Sequence, residues 1–320
     1  MENKLKNPKQ YYGADEAHNI VNDEVNLREI FSAIWQGKWT IIVITTLFSI
    51  ASVFYAINQD NIYKSEALLA PAEQDKSGGI GSLAGQFGGL ANLAGINLGA
   101  GIRDKTQMAL EVLKSRKFIT KFIQKHNLLP DLMAVESWDL TKGTLNYNPN
   151  VYNPGTNTWL REVKAPKKAE PSMQEAYKEF TKIINIADDK ETGMITLAVE
   201  HKSPVIAQQW VNWLIHDINA EMKTRDVAEA NKSADFLTQQ LEQTKIADIR
   251  TVLYKLIEEQ TKTIMFANVR DEYVFKTIDP AIVAEEKFKP KRAVICILGS
   301  FLGAALAIIY VLFGFYSKRN

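Results

Sequence analysis

The sequence predicts an α+β membrane protein, in which two transmembrane helices flank one α/β base domain that carries an extended helical arm. Three observations predict it. Two long uncharged blocks, residues 39–59 and 293–317, hold 21 and 25 residues and stand near the two ends of a 320-residue chain. About 20 residues at 1.5 Å each cross a ~30 Å hydrocarbon core. Between the blocks, apolar residues alternate in some stretches and recur every three or four in others, the mixture expected of strands and helices together. After Pro204 no proline follows until Pro280 and no glycine until Gly299, so one long stretch lacks helix breakers. With 38 basic against 37 acidic residues the net charge is +1, which gives no electrostatic footprint for nucleic acid.

In chain order, residues 1–38 read as a polar tail. The first block, WTIIVITTLFSIASVFYAINQ, is too long for a signal-peptide core and lacks a small-x-small cleavage site, so it is read as a retained span. Trp35 and Trp39 mark one edge and Tyr55 and Tyr63 the other, as an aromatic belt requires. The second block would be about 37 Å long as a helix, enough to span with some tilt. Residues 318–320 follow it as a short tail. Two spans place both termini on one side and residues 60–292 on the other. Lys289, Lys291 and Arg292 precede the second span, and Lys318 and Arg319 follow it. The local count favours a cytoplasmic domain, but long domains translocate largely regardless of charge, so the count leaves the side open. The single cysteine, Cys296, lies inside the second span and excludes an intrachain disulfide.

Within the domain, residues 63–69 read as a strand. Asp104 is placed as the cap of one helix running through MALEVLKSRKFITKFIQKH. Residues 141–171, rich in Asn, Pro, Gly and Lys and holding Trp159, predict loops and short strands. Pro171 and Ser172 open a helix through Tyr177 and Phe180. The alternating runs 184–186 and 195–199 around DDKETG predict a hairpin. Ser203 and Pro204 then start the arm, about 204–269, as N-cap and first-turn proline. Its apolar positions Val227, Ala230, Ala234, Leu237 and Leu241 step by three and four, and Ile246, Ile249, Leu253 and Leu256 resume the pattern. The intervening step of five marks a bend or the tip of a helical hairpin. Residues 273–278 read as a returning strand.

The search for chemistry yields no catalytic residue, cofactor site or metal site. His18, His126, His201 and His216 form no HExxH and none stands near Cys296. The acidic pairs Asp188-Asp189, Glu258-Glu259 and Glu285-Glu286 read as solvated surface, as do Lys164, Lys167 and Lys168. Gly79, Gly81 and Ala84 match G-x-G-x-x-A, but no parallel βαβ unit surrounds them. The glycine-rich segment 77–101 is read instead as an apolar loop or weak helix that contacts other subunits or the membrane surface. In the second span Gly299 and Gly303 form a GxxxG continued by Ala307, a strip that lets two helix backbones approach closely in lipid.

Several segments together resemble the bacterial polysaccharide co-polymerases, specifically the O-antigen chain-length determinants (Wzz proteins). They are Asp23-Glu24-Val25-Asn26-Leu27 and Trp35-Gln36-Gly37-Lys38-Trp39 around the start of the first span, ALEVLKSRKFITKFIQKHNLL, TGMITLAVEHKSPVIAQQWVNWLI, QTKTIMFANVRDEYVFKTIDPA, and Lys289-Pro290-Lys291-Arg292 before the second span. The family usually carries several prolines at that last position, the periplasmic neck, where this chain has Pro280 and Pro290. The resemblance implies a two-pass inner-membrane protein with both termini cytoplasmic and the bulk of the chain in the periplasm. It implies a homo-oligomeric ring without enzyme activity that works with the O-antigen polymerase and the lipid-linked polysaccharide in lipopolysaccharide biosynthesis, and sets the modal O-antigen length. In that setting Val227, Leu237, Leu241 and Leu253 are expected to pack the arm or the oligomer.

Other readings fit less well. A tyrosine autokinase of capsule export shares this membrane domain but continues into an ATP-binding domain after the second span. A two-span sensor needs a cytoplasmic output domain, which three residues do not supply. A co-polymerase for enterobacterial common antigen or capsule shares the architecture, and the sequence does not separate these glycans.

Overall fold

The computed structural model describes residues 27–72 and 102–317. The motif at 23–26, the segment 77–101 and the tail 318–320 lie outside the described residues or largely so. The chain divides into two compact units, one holding the helices on either side of the domain and the other residues 59–291.

The first unit contains α1 (Leu27–Gln36), α2 (Lys38–Asn58) and α9 (Arg292–Ser317). By length and composition α2 and α9 are each able to cross a membrane. Gly37 separates α1 from α2, and the segment read as a polar tail therefore ends in a helix. Ala56, Gly303 and Ala307 are buried between the helices. Ile42, Leu47, Ile50 and Phe54 on α2, and Leu298, Phe301 and Ile309 on α9, point outward and are exposed. Apolar surface on that scale suits a lipid surround rather than water.

In the second unit, β1 (Tyr63–Pro71), β6 (Ile184–Asp188), β7 (Ile195–His201) and β8 (Phe275–Asp279) form an antiparallel sheet in the order β6-β7-β1-β8. Strands β1 and β7 register from Tyr63 opposite His201 to Leu69 opposite Ile195. Tyr63, Ser65, Ala67 and Leu69 alternate inward, as do Ile195, Leu197, Val199 and His201 across from them. This period-two burial gives the sheet one packed face. Helices α3 (Ile102–Lys114), α4 (Arg116–Lys125), α5 (Leu129–Met133), α6 (Met173–Ile183) and the first turns of α7 (Pro204–Gln243) complete the base. Phe122, Phe180, Leu197, Trp210, Leu214 and Phe275 meet in one core.

Local chemistry sets the helix ends. Ser172 and Glu175 form a reciprocal capping box at the start of α6. Ser203 Oγ accepts from the Ile206 N–H, with Pro204 in the first turn of α7. The single helix expected from Asp104 through His126 is instead two. It starts earlier, at Ile102, and breaks at Ser115, whose extended backbone and Oγ, accepting from the Phe118 N–H, cap a new helix. The cap lets Phe118, Ile119, Phe122 and Ile123 turn together into the core.

Residues 135–159 form two small hairpins, β2 (Val135–Asp139) with β3 (Thr144–Tyr147) and β4 (Tyr152–Asn153) with β5 (Thr158–Trp159). Arg161 ties their far end back by donating to both carboxylate oxygens of Glu175 and to the Lys168 and Ala169 carbonyls. Past the sheet, α7 runs on for a total of 40 residues, about 60 Å. Helix α8 (Ala247–Val269) follows after three residues and packs back on it. The step of five in the apolar pattern therefore marks the tip of a hairpin. Arg250 closes that tip by donating to the Leu241 and Thr244 carbonyls.

Candidate functional surfaces

Three places carry the positions singled out in the sequence: the seam between α2 and α9, the α7–α8 hairpin, and the strand end that leads to α9.

Along the seam Gly299 lies against Ser52, and Gly303 against Phe48 and Thr45. Ala307 is fully buried one turn further on. Because no side chain intervenes, the two backbones come close enough for polar contacts. Ser49 Oγ and Ser300 Oγ lie 2.8 Å apart, and Ser300 Oγ also reaches the Cys296 carbonyl at 2.8 Å. Arg292 Nε donates to the Ala56 carbonyl at 3.1 Å, satisfying an acceptor near the end of α2. Packing of this kind, with small residues and interhelical hydroxyl bonds, holds helices together where no hydrophobic driving force acts. The sequence reading followed the Gly299, Gly303 and Ala307 strip and did not single out the Ser49–Ser300 pair.

On the hairpin, Ala230 and Leu237 of α7 are buried, Val227 and Leu241 are half-buried, and Leu253 of α8 is half-buried. Ala267 near the end of α8 and Val227 join the base core, so the hairpin's root is part of the domain. Phe236, Ile246, Ile249, Tyr254 and Met265 remain exposed, leaving the arm with apolar surface that its own partner helix does not cover.

The root is locked by buried polar groups. Asn219, 3% exposed, accepts from the Val274 and Phe275 N–H groups and donates to the Phe275 carbonyl. One turn or two along, Asp226 accepts from Tyr273 and from Lys105, each at 2.7 Å. Burial, reinforced by Asp226, pushes the Tyr273 phenol up. Asp217 meets Lys125 at 2.6 Å and His126 at 2.9 Å. Burial alone would raise its carboxyl, but hydrogen bonds from Lys125, His126 and His216 outweigh that and hold it below the usual range. Beside it a cleft of about 90 Å³ is lined by Phe118, Lys121, Asp217 and Glu221. Sites for small molecules usually enclose ~300–1,000 Å³. Among the described residues no group of His, Cys, Asp and Glu side chains is placed to hold a metal ion.

At the strand end, Pro280 directly follows β8 and is exposed. The chain then runs extended, with the Ala281 carbonyl accepting from Gln208 and the Ile282 carbonyl from Ser65. Lys289 bridges to Ile62, and Pro290 comes next. Between the two prolines the segment is thus tied to α7 at Ala281, to β1 at Ile282 and to Ile62 at Lys289.

Residues 23–126 match the family model described as chain length determinant protein, Wzz. The match includes α1, α2, β1, α3 and α4. No curated protein matches the chain. Among solved structures it is similar to a full-length bacterial polysaccharide co-polymerase, with a TM-score of 0.35 and 13% identity over 92% of this chain and 99% of that one. A fragment of WzzB, a polysaccharide co-polymerase from Salmonella Typhimurium, gives a TM-score of 0.27 and 12% identity over 72% of this chain and 100% of that one.

Proposed function

We propose that this chain, which carries a chain length determinant (Wzz) domain over residues 23–126, is a non-enzymatic regulator of lipopolysaccharide O-antigen modal chain length. The observation that carries the reading is that match, because it joins the first apolar helix to the base sheet in one recognised segment. On this reading residues 39–59 and 293–317 cross the bacterial inner membrane. Residues 60–292 are periplasmic, and the tails 1–38 and 318–320 are cytoplasmic.

The chain assembles as a ring of identical subunits. Each arm leaves Phe236, Ile249 and Tyr254 exposed, and a heterologous contact repeated around a closed ring would cover such surfaces. Gly299, Gly303 and Ala307 hold the span pair as one piece. The ring holds the O-antigen polymerase and the growing lipid-linked polysaccharide together, and the length of the product follows from that geometry rather than from bond chemistry in this chain.

Deletion of the gene tests the reading. Lipopolysaccharide gels should lose their modal band cluster and regain it on complementation. An unchanged lipopolysaccharide ladder with an altered common-antigen or capsule length would move the function to that glycan. Alkaline phosphatase fused after Thr224 should be active and after Asn320 inactive. The opposite pattern would overturn the topology and the function with it.

A further inference from the structure

Helix α1 was not anticipated from the sequence, and its faces are unequal. At 3.6 residues per turn, Ser32 and Gln36 fall in one sector, while Ala33, Ile30, Ile34, Phe31 and Trp35 spread over about 200° of the remainder. One edge of that apolar arc is used. Ala33 is 1% exposed where α1 packs on α9, and Ile30 and Ile34 are half-buried. A side chain at Gly37 would collide with Val311 of α9, so the turn into α2 is equally close. The other edge is open. Phe31 and Trp35 are 68% and 63% exposed, with their rings stacked at 6.3 Å.

We infer that α1 is an interfacial helix, lying at the lipid–water boundary of the bilayer with its Phe31–Trp35 edge among the headgroups and upper acyl chains. The inference rests on the two-span reading. Continuity favours lipid as the occupant. Helices α2 and α9 run antiparallel, with Ser52 beside Gly299, Phe48 beside Gly303 and Gly37 beside Val311. Trp39 at the start of α2 and Phe313 and Tyr316 near the end of α9 therefore lie at the same end of the pair as α1, and all three are exposed. Phe31 and Trp35 extend this aromatic girdle, the usual marker of a membrane interface. Lys38 places its ammonium 4.9 Å over the Trp35 ring, a cation held at the polar side of an aromatic anchor. An amphipathic helix so placed fixes the depth and rotation of the spans to which it is packed.

The test uses the full chain with Cys296→Ser, reconstituted in phosphatidylethanolamine/phosphatidylglycerol vesicles and spin-labelled at single introduced cysteines. Variants Phe31→Cys and Trp35→Cys probe the apolar edge. Ser32→Cys and Gln36→Cys probe the polar sector, and Phe301→Cys reports the second span. Labels at 31 and 35 should collide with oxygen severalfold more than with a water-soluble nickel chelate, and labels at 32 and 36 should reverse that ratio. Equal access of nickel to all four helix positions would overturn the inference, because α1 would be solvated. Low collision with both reagents at 31 and 35 would overturn it too, because protein would cover that edge. Nickel access at 301 would refute the span reading itself, and so distinguishes the two failures.

Discussion

Gly303 meets the flank of Phe48: a Cβ on Gly303 would stand 2.6 Å from the Phe48 Cβ and 3.4 Å from the Thr45 Cα. The first distance is shorter than real carbon contacts allow, so the glycine is what permits α2 and α9 to approach. The Ser49–Ser300 contact on the same seam depends on that approach.

Gly303→Leu keeps the segment hydrophobic, so insertion should survive while the seam opens. Overpacking of this kind costs about 1–3 kcal/mol. In a Cys296→Ser background, the pair Ser49→Cys and Ser300→Cys should cross-link, and adding Gly303→Leu should abolish the cross-link. The modal O-antigen length should shorten or scatter at normal abundance. Retention of both cross-link and modal length would assign the strip no packing role.

On the arm, neighbouring residues face opposite ways. Leu237 is 7% exposed inside the hairpin, whereas Phe236 is 60% exposed outside it. Leu237→Asp would bury an unpaired carboxylate, at a cost of several kcal/mol. It should lower the melting temperature and open the 244–246 tip to protease. Phe236→Asp should leave the melting temperature unchanged and reduce high oligomers in membrane cross-linking. Full oligomers with Phe236→Asp would remove this face from the ring contact.

Long periodic stretches were the most legible part of the sequence. The β6–β7 hairpin follows from alternation around DDKETG, and the arm's start follows from Ser203 and Pro204, because both signals are local. Ser115 was hidden inside a run with continuous helical spacing, where a cap and a mid-helix serine look alike. Helix α1 was hidden because polar residues dominate the tail before it, and Trp35 read as the edge of the span. The lock at Asn219 was also missed. Its partners, Val274 and Phe275, are more than fifty residues away, and an isolated asparagine in a helix gives no periodic signal.

Asn219 satisfies two N–H groups and one carbonyl where β8 begins, at distances of 2.8, 2.9 and 3.0 Å. Asn219→Leu would leave all three without a partner inside the core. Each orphaned group costs about 1–3 kcal/mol, partly offset by the added apolar volume. A fall in melting temperature, with proteolysis appearing first at 270–275, is the expected result. An unchanged melting temperature would mean that water or a shifted backbone replaces the amide.

His201 couples pH to the start of the arm. Its Nδ1 accepts from the Ser203 N–H at 3.0 Å and its Nε2–H donates to the Asp131 carbonyl at 2.9 Å, which fixes one neutral tautomer. The ring also packs on Trp210 at 5.1 Å. Burial holds its pKa below the ordinary histidine value, and the Lys202 charge acts in the same direction. In the unfolded chain the ring regains a value near ~6.5. Below that pH the unfolded state takes up a proton that the folded state refuses, so stability is full above it and falls as the pH drops. Protonation would also set an N–H against the Ser203 N–H, at the residue that caps α7. The melting temperature of the full chain in detergent should therefore drop between pH 7.5 and 5.5. His201→Gln should start lower at pH 7.5, having lost the ring's packing, but should lose less over the same interval because nothing there titrates. An identical pH dependence in both proteins would place the acid sensitivity elsewhere, with the His126–Asp217–Lys125 cluster as the next group to substitute.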